Sequence, residues 1–164
     1  MQKTHTPHKG LVLTMRILFT IFLMGTVVFI FANSSQIGEL SGLRSQSVTA
    51  WLNGLVKQLG FGFTLSELTV RKLGHLAEYM LLGFWLMLTL RVYTKRIISF
   101  IAWPLFFTLL IAVADEFYQT FVPGRSGQVV DVIIDFIGSC IGLGVGLFIM
   151  LLAQGIWQAI HGKE

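Results

Sequence analysis

Residues 129–153 read VVDVIIDFIGSCIGLGVGLFIMLLA. A helix crosses about 30 Å of hydrocarbon in roughly 20 residues, so this run is long enough to span a membrane. Its only charges, Asp131 and Asp135, come near its start. At helical spacing they fall nearly on one stripe with Gly138, Gly142 and Gly146. The glycines make tandem small-xxx-small steps, which let another helix backbone approach closely. One face therefore offers close packing deep in the membrane and two carboxylates nearer its surface. An ionised group at membrane depth costs about 2.5–3.5 kcal/mol on insertion scales, so both acids need partners. Six of the eight acidic residues lie between Glu67 and Asp135, close in sequence to Arg71, Lys72, His75 or Arg125.

Outward from this run, the composition is that of a membrane protein: 164 residues, 54% hydrophobic and 12% charged. The length suits one small bundle, a single domain over 1–164. Three more apolar runs fit spans at 11–32, 73–93 and 97–114. The fold class is an all-α membrane protein, a bundle of four transmembrane helices. An interfacial amphipathic helix is expected between helices one and two. Helix four, with its glycine face, is placed at the centre of the bundle; a homodimer through that face is the alternative. The first span reads as an uncleaved anchor rather than a signal peptide, because its apolar stretch is long and no small-x-small site follows. Arg16 is expected to snorkel to the surface. Cys140, the single cysteine, excludes an intrachain disulfide and is read as a packing residue.

Lys and Arg in the flanks set orientation. One side collects Lys3, Lys9, Arg16, Arg91, Lys95, Arg96 and Lys163; the other collects Arg44, Lys57, Arg71, Lys72 and Arg125. The tight cluster at Arg91, Lys95 and Arg96 puts both termini in the cytoplasm, and residues 33–72 and 119–128 outside. These basic residues flank apolar runs, so the net charge of +4 reads as topology and not as a nucleic-acid patch. Residues 33–44 are polar and glycine-containing, hence a loop. After Ser47, a candidate N-cap, Val48, Trp51, Leu52, Leu55, Val56 and Leu59 recur at helical spacing, with Asn53, Lys57 and Gln58 off the stripe. This is the amphipathic helix, either on the outer leaflet or packed over the bundle mouth. Gly60 and Gly62 end it, and Ser66 starts the next element. His5, His8 and His161 fall in polar tails and read as solvated.

The chemistry-bearing residues sit at one end of the spans. Arg71, His75 and Glu78 share a face of helix two, with Lys72 and Tyr79 beside it. Asp115, Glu116 and Gln119 end helix three, and Val122 to Gly127, with Pro123, Gly124 and Arg125, read as a turn. His75 beside Glu78 is a candidate general base with an orienting partner. Glu78, Glu116, Asp131 and Asp135 are the other catalytic candidates, since carboxylates in a poorly solvated site push their pKa values apart. Asp115, Glu116, Asp131 and Asp135 offer oxygen ligands to a divalent cation, although nothing in the sequence requires a cofactor. Arg71, Lys72, Arg125 and Gln119 are candidates for holding an anionic headgroup. The competing reading is a purely structural network that ties the helices together.

Two patterns match a known family. Arg71-Lys72-x-x-His75-x-x-Glu78-Tyr79-x-x-Leu82-Gly83 resembles the first signature of the VanZ-like family. Asp115-Glu116-x-x-Gln119-x-Phe121-Val122-Pro123-Gly124-Arg125-Ser126, followed by Asp131-x-x-x-Asp135-x-x-Gly138-x-x-x-Gly142, resembles its second. The resemblance covers residues 71–146, and the second signature is the more specific. The family pattern often has asparagine where this chain has Asp135, which adds a negative charge here. The resemblance implies a small bacterial membrane protein of about four spanning helices. Its namesake is associated with resistance to teicoplanin-type lipoglycopeptides, which suggests the cell envelope as the setting but not a reaction.

The leading expectation is an outward charged cluster that binds the headgroup of an anionic envelope lipid or lipid-linked precursor, with an effect on lipoglycopeptide susceptibility. The enzymatic alternative is attack on a lipid phosphate or headgroup. The sequence lacks the multipart signatures of the common lipid phosphatases, a serine-hydrolase elbow and a zinc motif. A third reading is a structural adaptor that docks an envelope biosynthesis partner through the outer segment. A small drug-exporting dimer fits worst, because helix one carries no acidic residue to couple protons.

Overall fold

The computed structural model describes residues 7–161, and all of its regular elements are helices. They are α1 (Pro7–Ser34), α2 (Gly38–Gln58), α3 (Glu67–Tyr93), α4 (Ile97–Phe100), α5 (Ala102–Gln119) and α6 (Val129–His161). Four stretches are long and apolar enough to cross a membrane: Lys9–Ser34, Glu67–Tyr93, Ile97–Gln119 and Val129–Ile160. The four expected spans are present. Lys3, His5 and Lys163, and the side chains of His8 and His161, lie outside the described residues.

Three local expectations are corrected. The span at 97–114 is interrupted at Ile101 and runs on to Gln119. Pro104 accounts for the interruption: it has no N–H for the Phe100 carbonyl, and its ring crowds that carbonyl. The 33–44 loop is mostly helix, because α1 continues to Ser34 and α2 begins at Gly38. Ser47 is therefore not an N-cap; it lies inside α2 and its Oγ donates back to the Leu43 carbonyl at 3.0 Å. That local bond lets a hydroxyl sit in mid-helix. Ser66 does start α3, its Oγ accepting from the Thr69 amide at 3.1 Å.

The packing is inverted relative to a water-soluble bundle. Large apolar side chains such as Ile21, Val28, Phe106 and Phe148 are exposed. Asp115, Asp135, Thr108 and Ser139 are fully buried. That is the arrangement hydrocarbon solvent favours, since lipid satisfies apolar groups and only the interior can satisfy polar ones. Cys140 faces outward rather than packing.

The centre of the bundle is α3, not α6: α3 touches α1, α2, α5 and α6. Its tightest partner is α6. A Cβ on Gly142 would strike the Met80 carbonyl, one on Gly138 would come within 2.5 Å of the Leu76 carbonyl, and one on Gly83 would strike the Ser139 carbonyl. The glycine stripe is thus filled by α3 of the same chain and is not a free face for a second copy. The pairing advances in step along both helices, from Lys72 with Asp131 to Met87 with Gly146, so the two spans run parallel. At the opposite end, Arg16 donates from Nε to the Val92 carbonyl at 2.9 Å and lies 5.2 Å from the centre of the Tyr93 ring. A cation there complements the C-terminal end of α3. The start of α1 and residues of α6 near Gln154 meet at this same end, away from the charged cluster.

Candidate functional site

The close α3–α6 contact carries the charged residues into register. One turn before Gly138, Asp135 faces His75, with Nδ1 3.5 Å from Oδ1. One turn earlier again, Asp131 lies 3.8 Å from Arg71 Nη2 and 3.9 Å from Lys72 Nζ. These are loose ion pairs, beyond ordinary hydrogen-bond length. His75 therefore has Asp135 as its carboxylate neighbour, not Glu78 as the sequence reading expected. Glu78 turns toward α1 and accepts from Asn33 Nδ2 at 2.7 Å.

From α5, Asp115 and Glu116 enter the same interior. Gln119 Nε2 lies 3.3 Å from Asp115 Oδ2, 3.3 Å from Glu116 Oε1 and 3.2 Å from Ser34 Oγ. The second oxygen of Glu116 accepts from the Gln128 amide at 2.8 Å. That places a carboxylate at the start of α6, where the helix dipole favours negative charge. Gly127 permits the approach, because a Cβ there would meet the Glu116 carbonyl.

The α5–α6 turn is locked onto the α1–α2 junction. Gly124 has φ +75°, open to glycine, and a Cβ on Gly38 would strike its carbonyl. The Gly38 amide donates to the Pro123 carbonyl at 2.9 Å. Arg125 donates from Nε to the Gln36 carbonyl at 2.9 Å and from Nη2 to the Asn33 carbonyl at 3.0 Å. Burial, followed by the like charge of Arg71, pulls Arg125 below the ordinary guanidinium value.

Above this interior opens a cleft of about 220 Å³ whose lining includes Arg44, Arg71, Arg125, His75 and Glu78. Ser41 and Ser45 of α2 also line it. The α2 residues that line the cleft are Ser41, Arg44, Ser45 and Val48, while Leu40, Leu43 and Trp51 of the same helix are exposed. Asn53 anchors the far end of α2, donating to the Leu65 carbonyl at 3.0 Å and accepting from its amide at 2.7 Å.

Of the residues expected to hold a headgroup, Arg71 and Arg125 line the cleft. Lys72 instead borders an apolar groove with Leu73 and Ile134, and Gln119 is buried as a brace between carboxylates. Of the expected cation ligands, Asp115, Glu116 and Asp135 come together with His75, while Asp131 stands apart with Arg71 and Lys72. Sequence reasoning overlooked Arg44, Asn33 and Ser34 at the site. Arg44 carried only a topology signal, and the other two were placed in a loop.

These features define a multi-pass helical membrane protein with a polar site at one end of its bundle. The VanZ/LLP1 family model matches residues 17–152, and the chain belongs to that family. Among curated proteins and among solved structures, nothing matches it.

Proposed function

We propose that the arginine-lined cleft binds the anionic headgroup of an envelope lipid or lipid-linked precursor. The observation that carries this reading is the convergence of Arg44, Arg71 and Arg125 on one cleft at the end of a membrane bundle. Guanidinium groups match phosphate oxygens in geometry as well as in charge. Arg125 spends two donors on backbone carbonyls, whereas Arg44 has one bond, to the Gln36 side chain, and Arg71 only the loose Asp131 pair, so these two keep more donors for a ligand. Ser41 and Ser45 of α2 line the cleft while Leu40, Leu43 and Trp51 of the same helix are exposed, which suits a lid lying in the headgroup layer. Arg91, Lys95 and Arg96 lie at the far end of α3, so the positive-inside rule turns the cleft outward, with both termini in the cytoplasm of a bacterial inner membrane. A lipoglycopeptide of the teicoplanin type, which anchors by a lipid tail near such precursors, would be affected indirectly.

The test is titration of the protein in neutral detergent with a short-chain phosphatidic acid and with a matched neutral lipid. The acidic lipid is expected to bind selectively, and Arg44→Gln and Arg71→Gln are each expected to weaken it at least tenfold. Equal binding of both lipids, or binding indifferent to both substitutions, would contradict the reading.

The second reading is catalytic, and the His75–Asp135 contact beneath the cleft favours it. Its test is release of a headgroup or phosphate from a panel of envelope lipids, with loss of that turnover in folded Asp135→Asn.

A further inference from the structure

Beyond headgroup binding, we infer that His75, Asp115, Glu116 and Asp135 form a binding site for one first-row divalent cation that accepts mixed nitrogen and oxygen ligands, of the Mn²⁺ or Zn²⁺ kind. One ligand atom from each of the four lies within 4.8 Å of all the others. Bonds of about 2.0–2.2 Å put the ligands of a tetrahedral shell roughly 3.4 Å apart, and those of an octahedral shell roughly 3 Å apart when adjacent and 4.3 Å when opposite, so modest side-chain adjustments close either shell. The four come from three different helices, α3, α5 and α6.

Two observations separate this cluster from an ordinary acidic patch. Asp135 is fully buried, and apart from the loose 3.5 Å approach of His75 Nδ1 to Oδ1 neither of its carboxylate oxygens has a hydrogen-bond partner among the described residues. Asp115 is also fully buried, and its Oδ1 is equally unpartnered while Oδ2 is held by Gln119. Buried polar atoms are almost always satisfied, so a group of orphan oxygens facing one imidazole points to a ligand. No lysine or arginine forms an ion pair with Asp115, Glu116 or Asp135 among the described residues; Arg71 and Lys72 approach Asp131. Three carboxylates and one histidine supply the charge that a divalent cation compensates.

The surroundings are those of a cation site. Gln119 and the Gln128 amide orient Asp115 and Glu116 from behind, as outer-shell donors orient metal ligands. His75 also lines the arginine cleft, which gives the ion a path in and leaves room for an added ligand. One imidazole among carboxylates suits Mn²⁺ or Zn²⁺ better than Mg²⁺ or Ca²⁺, which prefer all-oxygen shells, and none of the four ligands is a cysteine that would select Cu(I).

The experiment uses the full chain, stripped by chelation and free of added lipid, titrated calorimetrically with Mn²⁺, Zn²⁺ and Mg²⁺ and examined by Mn²⁺ electron paramagnetic resonance. One ion per chain is expected, with Mn²⁺ or Zn²⁺ binding at least tenfold tighter than Mg²⁺. Asp135→Asn and His75→Gln should each weaken it at least tenfold, and Asp131→Asn should leave it within about twofold. The ion should raise the melting temperature of the wild type and not of His75→Gln. Should Asp135→Asn fail to fold, Asp115→Asn takes its place. The inference is overturned by absence of saturable binding to the wild type, by a preference for Mg²⁺, or by binding that survives the His75 and Asp115 substitutions. Lipid is absent throughout, so this result stands apart from the fate of the headgroup reading.

Discussion

At the scale of single residues, the site divides into groups that face a ligand and groups that hold the frame. Arg125 is the clearest of the second kind. Its two charged hydrogen bonds tie the α5–α6 turn to the end of α1, and such bonds contribute about 1.5–3 kcal/mol each. Arg125→Gln is therefore expected to lower the unfolding temperature in detergent markedly, while Arg44→Gln, whose side chain is exposed and bonded to the Gln36 side chain, leaves it nearly unchanged. Equal effects of the two would refute this division. The sequence made His75, Asp115, Glu116 and Asp135 visible, because charged residues in apolar runs need a reason. It did not show which carboxylate meets which base. Glu78 lies three residues from His75 on the same helix, but a partner across the α3–α6 contact lies nearer its imidazole, and only tertiary geometry decides that.

At the scale of helices, the glycine face of α6 was legible from its spacing, but its partner was not. Any helix can seat against a small-residue stripe, and the stripe alone names neither α3 nor a second molecule. The structure makes the contact testable. Gly142→Ala should destabilise the protein by about 1–3 kcal/mol, since its Cβ would meet the Met80 backbone, which cannot yield as a side chain could. Gly144→Ala should be neutral or slightly stabilising, because nothing lies within 4 Å of the position. Thermal unfolding of both variants in detergent checks the pair, and a similar loss in both would contradict the packing described. The start of α2 was less legible, since residues 36–47 are rich in serine and glycine, which favour turns in isolation. Here those small residues let α2 lie close against Arg125 and the α5–α6 turn, and tertiary contact overrides local preference.

At the scale of the whole molecule, hydropathy alone exposed four spans, and the structure has four helical stretches long and apolar enough to be them. Orientation depends on flanking charge, a weaker signal that an accessibility experiment settles directly. In a Cys140→Ser background, Gln58→Cys should react with a membrane-impermeant maleimide added outside intact cells, and Lys95→Cys should react only after permeabilisation. The reverse pattern would turn the cleft toward the cytoplasm and remove the envelope reading. The parallel α3–α6 pair, the α2 cover and the locked turns together form one arginine-lined opening at one end of the bundle, and the central claim is that this opening holds an anionic headgroup. The most direct measurement is native mass spectrometry of the mildly extracted wild type beside Arg71→Gln, with identification of the lipid that stays bound. A discrete anionic lipid or polyprenyl species on the wild type, lost from the folded variant, is the expected result. Retention of no lipid beyond the bulk membrane mixture, or the same species on both proteins, would contradict it.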